Sequence, residues 1–340
     1  MAKNVIFDKK NVLVTGGAGF IGSHLCDELI KKYKVICLDN FSTGEEKNID
    51  HLLSEPDFEF VKHDITKPID LEKLPELQKF KIEFQGIQEI YHLACPMSPK
   101  DFLKNKIANI MANSYGMINA LDLAKKYGAK FLHFSSSVVY GYQKKINEKV
   151  KEEDVGLVDN MSQRSSYDEG KRFAETIVKN YKDEYKIDAK IMRLFRVYGP
   201  RMKFKDNQMI PDLISSALDN KPLEIYGDKD FSSSFCYVND CVDAAIKLMD
   251  ADVFGPLNIG SDVEINLTDI AKKIIAKTVS KSKIIYKDED LFMKPLYIPD
   301  IAKARNEIGW MPVITLEKGL DLAIYELRAS KELKGVKHIM

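Results

Sequence analysis

A tyrosine stands four residues before a lysine in SQRSSYDEGKR: Tyr167 and Lys171. On a helix that spacing puts both side chains on one face. A phenol ionises near pH ~10 in water, so it is a poor base at neutral pH. A cation held beside it favours the phenolate. Tyr167 then reads as a general base that strips a proton from a hydroxyl group, with Lys171 as the cation. The pair is a common coincidence, so its meaning depends on what the rest of the chain places next to it.

A second signal lies near the start. TGGAGFIG (15–22) sits between a short apolar run at 11–15 and a stretch, 20–33, with Ile21, Leu25, Leu29 and Ile30 at helical spacing. Gly16, Gly19 and Gly22 let the backbone approach a ligand and let the helix pack on the strand, and Phe20 and Ile21 open that helix. A helix start offers amides and a positive dipole end to a pyrophosphate. Asp39 ends the next strand-like run, seventeen residues after Gly22. An acid there accepts hydrogen bonds from the adenosine ribose and repels a 2′-phosphate, which argues for NAD over NADP. With an oxidised nicotinamide adding positive charge, Tyr167 removes the proton while the carbon gives up hydride.

The elements that must position these groups alternate. Strand-like runs at 34–38, 58–61, 89–93, 130–134 and 189–194 are interleaved with helical stretches, including 106–127 and the one that carries Tyr167. This pattern predicts an α/β fold, a Rossmann-type doubly wound parallel sheet with helices on both faces. Ligands of such sheets gather outside the carboxyl ends of the strands. FSSS ends one of them, which puts Ser136 and Ser137 at the edge where chemistry takes place. After Tyr198 the pattern loosens, with Gly199-Pro200, helices at 211–218, 238–249 and 267–278, a strand at 223–226, and prolines at 295, 299 and 312. Residues 1–198 read as the NAD-binding domain, with 235–260 returning to it. Residues 199–234 and 261–340 read as a smaller C-terminal substrate-binding lobe. The lysine-rich stretch QKKINEKVKEE (143–153) reads as a solvated loop.

Composition excludes several classes. The 340 residues carry 51 Lys+Arg and 51 Asp+Glu, so zero net charge offers no footprint for nucleic acid or an anionic membrane surface. No apolar run approaches the ~20 residues of a membrane helix, and the first residues lack a signal-peptide layout. The five cysteines are scattered without zinc spacing, so the reading is reduced thiols, a cytoplasmic protein and no metal. His92 and His133, in strand-like runs, and Trp310 read as core residues.

TGGAGFIG, HLACPMSP, FSSSVVYG, YDEGK and RLFRVYGPR, in that order over nearly the whole chain, resemble the extended short-chain dehydrogenase/reductases of the nucleotide-sugar epimerase/dehydratase superfamily. Within it, HLACPMSP and RSSYDEGKR are most similar to the UDP-glucuronate decarboxylase (UDP-xylose synthase) group. The resemblance implies that Gly16, Gly19 and Gly22 take the pyrophosphate and that Asp39 and Asn40 take the ribose. Asp64, with Ile65 beside it in HDIT, reaches the adenine, while Leu93, Ala94 and Pro96 line the cleft. Ser136 holds the sugar's C4 oxygen, Tyr167 is the base, and Lys171 bridges to the nicotinamide ribose. The activity implied is transient oxidation at C4, reaction of the 4-keto sugar, and return of the hydride. The resemblance also implies a homodimer through a four-helix bundle built from 106–127 and 167–185.

The departures bear on the reaction. The family's decarboxylases and dehydratases carry glutamate where Val138 stands. That disfavours dehydration and leaves epimerisation and decarboxylation both open. Arg196 replaces the usual asparagine, while Ser233 and Tyr297 replace arginines that grip the nucleotide diphosphate. Together with Ser137 and Arg164, these positions form the expected substrate set. Arg196 is a candidate phosphate contact, and Lys203, Lys205 and Lys294 are alternative clamps. The nucleotide and the sugar stay open. Two other readings are net NAD-linked oxidation of a sugar or small carbonyl, and a non-catalytic dinucleotide-sensing scaffold. An intact Ser136, Tyr167 and Lys171 argue against the scaffold.

Overall fold

Buried on both faces, a parallel strand reads as a continuous apolar run, and β1 (Asn11–Thr15) is buried at all five positions. Its side chains alternate. Val12 and Val14 enter one core layer, Leu13 the other. β2 (Lys34–Asp39), β3 (Phe58–Lys62), β4 (Glu89–His92), β5 (Lys130–Ser136) and β6 (Ala189–Leu194) continue this logic. The computed structural model describes residues 9–98, 102–141, 149–204, 206, 208–227, 229–288 and 297–336. Lys205, Lys294, Pro295 and residues 143–148 of the lysine-rich stretch lie outside the described residues.

A seventh strand, Leu257–Ile259, completes the sheet beside β6, in the order Leu257–Ile259, β6, β5, β4, β1, β2, β3. All its pairs are parallel. The architecture is the expected Rossmann-like one. The order reverses at β1, and in-register pairing brings the strand ends to one edge: Thr15 lies opposite both Leu38 and His92, and Ser136 opposite Leu194.

Helices cover both faces. Phe20–Leu29 and Val238–Asp250 pack on the layer that contains Leu132 and Phe134. Met117–Tyr127 and Ser165–Tyr185 pack on the layer that contains Phe131. The first helix stops short of the expected residue 33. The Leu29 carbonyl accepts from both Lys32 and Tyr33 (3.0 and 2.9 Å), which makes a turn. The 106–127 stretch is helical throughout but contains one π-helical turn, Ala112–Gly116. There Gly170 of the neighbouring helix lies so near that a Cβ would sit 3.1 Å from Asn113 Nδ2.

A further core cluster gathers helices Met209–Leu218, Leu267–Thr278 and Leu316–Val336 with two short strand pairs, joined by Tyr198, Tyr237 and Val238. The solvated-loop expectation for 143–153 is corrected where the chain is described. Val150 is fully buried and bridges Pro299, and Glu152 accepts from the Asn258 amide at 2.8 Å. These contacts fasten the segment before Tyr167 to the edge of the sheet.

Trp310 is completely buried, and its indole donates to the Asp240 carbonyl at 2.9 Å. The Asp240 carboxylate in turn caps the amides of Val313 and Ile314 (3.2 and 3.0 Å). Trp310→Ala therefore removes a large core side chain and should lower unfolding free energy by about 3–5 kcal/mol, read as a lower urea midpoint with an unchanged slope.

Candidate active site

The carboxyl edge of the sheet opens into a cavity of about 700 Å³. Every sequence-predicted cofactor residue lines it: Gly16, Gly19, Phe20, Ile21, Gly22, Asp39, Asn40, Asp64, Ile65, Leu93, Ala94 and Pro96, with Tyr167 and Lys171. The turn after β1 explains two of the glycines. Gly16 has φ +74°, and a Cβ there would lie 2.8 Å from the Ala94 nitrogen; one on Gly22 would lie 2.2 Å from the Gly16 carbonyl oxygen. No described side chain caps the first helix, so its first-turn amides remain for a ligand. Asp39 accepts from Ala18 and Phe41 amides (3.0 and 2.8 Å), while burial pushes its carboxyl upward. A carboxylate has about four acceptor sites, so it keeps capacity for ribose hydroxyls. Asp64 takes the Thr66 amide and hydroxyl (3.0 and 2.8 Å). Uncapped amides, bare backbone and an acid at the end of β2 fit a dinucleotide.

At the other end, Ser136, Tyr167 and Lys171 converge. The Tyr167 hydroxyl is hydrogen-bonded to Ser136. Lys171 is buried and donates to the Phe134 carbonyl at 2.8 Å. Burial pushes its ammonium downward. Burial also pushes the Tyr167 phenol up, reinforced by Cys95, against the opposing pulls of the Ser136 hydrogen bond and the Arg164 charge. Arg164, one helical turn before Tyr167, adds a further positive charge that favours the phenolate. Arg164 is held by Asp168 through Nε (3.3 Å) and Nη2 (3.1 Å). Val138, where an acid was absent from the sequence, packs its apolar side chain on Tyr167.

A buried network fixes these groups. Ser135 donates to Glu175 at 2.6 Å, and Arg193 forks onto the same carboxylate (3.0 and 2.8 Å). Arg193 also donates to Tyr140 Oη and the Glu152 carbonyl, both at 2.9 Å. The strand end, the Tyr167 helix and the segment before it are thereby tied to one guanidinium.

Of the expected substrate set, Ser136, Ser137, Arg164 and Arg196 line the cavity. Two expectations are corrected. Ser233 is buried and reaches the site only through Arg196, whose Nε donates to its Oγ at 2.9 Å. Tyr297 is not among the lining residues; it packs on Val139, Tyr140, Val150 and Phe195, the last of which does line the cavity. Lys203 lines the cavity. Sequence reasoning missed Ser42, Thr43 and Asn48 near Asp39, Cys95 beside the phenol, and Asp206 and Gln208 from the lobe. The small polar run FSTG after the acid was the available signal for the first two; lobe residues carried none.

His92 and His133 form part of a polar row beneath this end. His92 Nδ1 is 2.8 Å from the Thr15 hydroxyl, and burial pushes its ring down to about 3. His133 is pushed well below the usual range by burial, and neither ring nitrogen has a hydrogen-bond partner among the described residues.

Two outcomes follow from this geometry. Gly22→Ala forces the first helix off the turn and should cut NAD retained through purification by about tenfold or more, read by absorbance of the denatured supernatant. The histidines bear on acid stability. Their folded values are depressed, so the unfolded chain binds more protons below pH ~6.5, and stability present above that value is lost as pH falls. Melting temperatures taken from pH 7.5 to 4.5 should fall, and His133→Leu, which orphans no partner, should make the fall shallower.

The chain matches the NAD dependent epimerase/dehydratase family over residues 12–260. It is 37% identical over 322 residues to UDP-glucuronic acid decarboxylase 6 of Arabidopsis thaliana, covering 93% of this chain and 88% of that one. It is 36% identical over 328 residues to UDP-glucuronic acid decarboxylase 1 of Xenopus tropicalis, covering 96% and 74%. Its fold matches that of Bacillus cereus UDP-glucuronic acid 4-epimerase in complex with UDP-glucuronic acid and NAD, with TM-score 0.81 and 28% identity over 94% of this chain and 99% of that one. A glycine turn, an acid after β2 and a serine–tyrosine–lysine set on one sheet edge agree with these likenesses: the chain belongs to the NAD-dependent epimerase/dehydratase family.

Proposed function

We propose that this NAD-dependent nucleotide-sugar epimerase/decarboxylase acts on a nucleotide-activated hexuronate, with UDP-glucuronate the first candidate, through transient oxidation at C4. The observation that carries it is the convergence of Ser136, Tyr167 and Lys171 at one end of a cavity whose other end is an uncapped helix start and Asp39. The relatives named for UDP-glucuronic acid supply the sugar class.

NAD, when bound, supplies the hydride acceptor and later the donor. Gly16, Gly19, Gly22 and the first-turn amides hold its pyrophosphate; Asp39 and Asn40 hold a ribose, and Asp64 and Ile65 flank the adenine end. Ser136 orients the C4 hydroxyl, and Tyr167 takes its proton. A positive charge beside the phenol offsets the burial that pushes it up. Lys171, with one N–H on Phe134, has two more for a ribose hydroxyl. The 4-ketone makes the C6 carboxylate that of a β-keto acid. Breaking the C5–C6 bond leaves its electron pair in an enolate whose oxygen Ser136 and Tyr167 can hydrogen-bond. Alternatively the ketone turns its other face and is reduced with inverted C4, an outcome that needs no acid at Val138.

Ile107, Ile110, Tyr115 and Phe173 are exposed apolar residues of the 106–127 and Ser165–Tyr185 helices. The proposal includes a homodimer that covers them with a second copy. No described helix is long and apolar enough to cross a membrane. A cytoplasmic location belongs to the proposal, supported by the five free thiols.

Incubation with UDP-glucuronate tests the reaction. Loss of CO2 to a UDP-pentose by mass spectrometry marks decarboxylation; an unchanged mass with a new C4 coupling marks epimerisation. Stoichiometric NADH would mean net oxidation, and no turnover of any nucleotide sugar would leave the sensing scaffold. Tyr167→Phe should cut turnover by about 10²–10⁴-fold while NAD stays bound; full activity would remove Tyr167 as the base.

A further inference from the structure

We infer that Arg196 grips the sugar's carboxylate, and not the nucleotide diphosphate, and so selects acidic over neutral sugars; this rests on the nucleotide-hexuronate reading above.

Arg196 lies two residues beyond the end of β6, and the last residue of β6, Leu194, is the register partner of Ser136. Its place is fixed from both its backbone and its side chain. Its carbonyl accepts from the Cys236 amide at 2.8 Å, and its Nε donates to Ser233 Oγ at 2.9 Å. Ser233 is itself buried and paired across a short antiparallel bridge to Ile265. The guanidinium is therefore anchored from the lobe and lines the cavity. Arg164 reaches the same end from the helix side, one turn before Tyr167, braced by Asp168. The two cations are close enough to act on each other: burial, then the Arg164 charge, push Arg196 down to about 10.

Sugar chemistry decides which anion meets them. With the C4 oxygen at Ser136 and Tyr167, C5 is the adjacent ring atom and carries the carboxylate. C1, which carries the diphosphate, is across the ring. Arg164, whose charge reaches the phenol, and Arg196, which Arg164 reaches in turn, line the cavity where a C5 substituent would stand beside the phenol. A guanidinium's planar fork matches a carboxylate with two parallel hydrogen bonds, and a carboxylate between Arg196 and Arg164 relieves their mutual repulsion. A hydroxymethyl group at C5 offers neither gain.

The test compares Tyr167→Phe with Tyr167→Phe/Arg196→Gln, both NAD-loaded, so that binding is read without turnover. UDP-glucuronate, UDP-glucose and UDP are titrated by calorimetry. Loss of a charge-assisted contact should weaken UDP-glucuronate by about 10- to 100-fold and leave UDP-glucose and UDP within about threefold. Equal weakening of all three would assign Arg196 to the diphosphate, and unchanged UDP-glucuronate binding would remove it from the ligand; either overturns the inference. If the Tyr167→Phe parent binds none of the three, the nucleotide-hexuronate reading itself fails and takes this assignment with it. Should the Gln variant not retain NAD, Arg196→Lys carries the same comparison: a loss confined to UDP-glucuronate supports the assignment, and a uniform loss or none overturns it.

Discussion

The hydrogen bond from Lys171 to the Phe134 carbonyl, 2.8 Å long and fully buried, joins the helix that carries Tyr167 to the strand that ends at Ser136. A buried ammonium is costly unless its donors are used, so this contact must form once the helix docks. One turn further on, Glu175 lies on the same helix face and takes Ser135 from β5 and Arg193 from β6. The helix is thus fastened to two neighbouring strands at successive turns. Tyr167, one turn before Lys171, has little freedom left, and its hydroxyl meets Ser136. The spacing Tyr–x–x–x–Lys–x–x–x–Glu is a mechanical arrangement before it is a chemical one.

The same edge of the sheet hosts the glycine turn for a separate reason. A parallel sheet in register brings Thr15, Asp39 and Ser136 out at one side, and the helix that follows Thr15 starts there with first-turn amides that no described side chain caps. Only glycine at positions 16 and 22 allows the first helix to sit down on the turn without backbone overlap. Cofactor and substrate groups need no shared sequence segment; the register of the strands brings them into one cavity.

Local signals were legible, and long-range ones were not. The strand–helix alternation, the glycine turn and Tyr167 with Lys171 all express periods or spacings of a few residues, and the structure places them where those spacings imply. Leu257–Ile259 is too short for a periodic signal, although 235–260 was read as rejoining the sheet. Ile30 fits the helical spacing of its neighbours, but the chain turns at Leu29. In the charged stretch before residue 154, nothing in the sequence marks Glu152 as the acid drawn inward to Asn258. Ser233 and Tyr297 were read from motif positions. Whether such a residue faces the cavity or braces one that does depends on a partner 37 residues away for Ser233, and on the Tyr140–Phe195 packing for Tyr297.

The cavity carries charge at both ends, with Asp168 pairing Arg164 at the phenol end, although the whole chain sums to zero. Asp39 and Asp64 lie at the end with the first helix, where burial and backbone amides oppose each other on Asp39. Lys171, Arg164 and Arg196 lie at the phenol end, and burial drives Lys171 and Arg196 downward. A site built this way does not depend on net charge to attract an anion. It depends on cations already stripped of water, which gain more from a bound anion than exposed ones do. The same desolvation raises the Tyr167 phenol and keeps it protonated, against the pull of the Arg164 charge. Burial therefore acts on both kinds of group: it leaves the cations poorly hydrated and holds the proton on Tyr167, while the Arg164 charge pulls the phenol the other way.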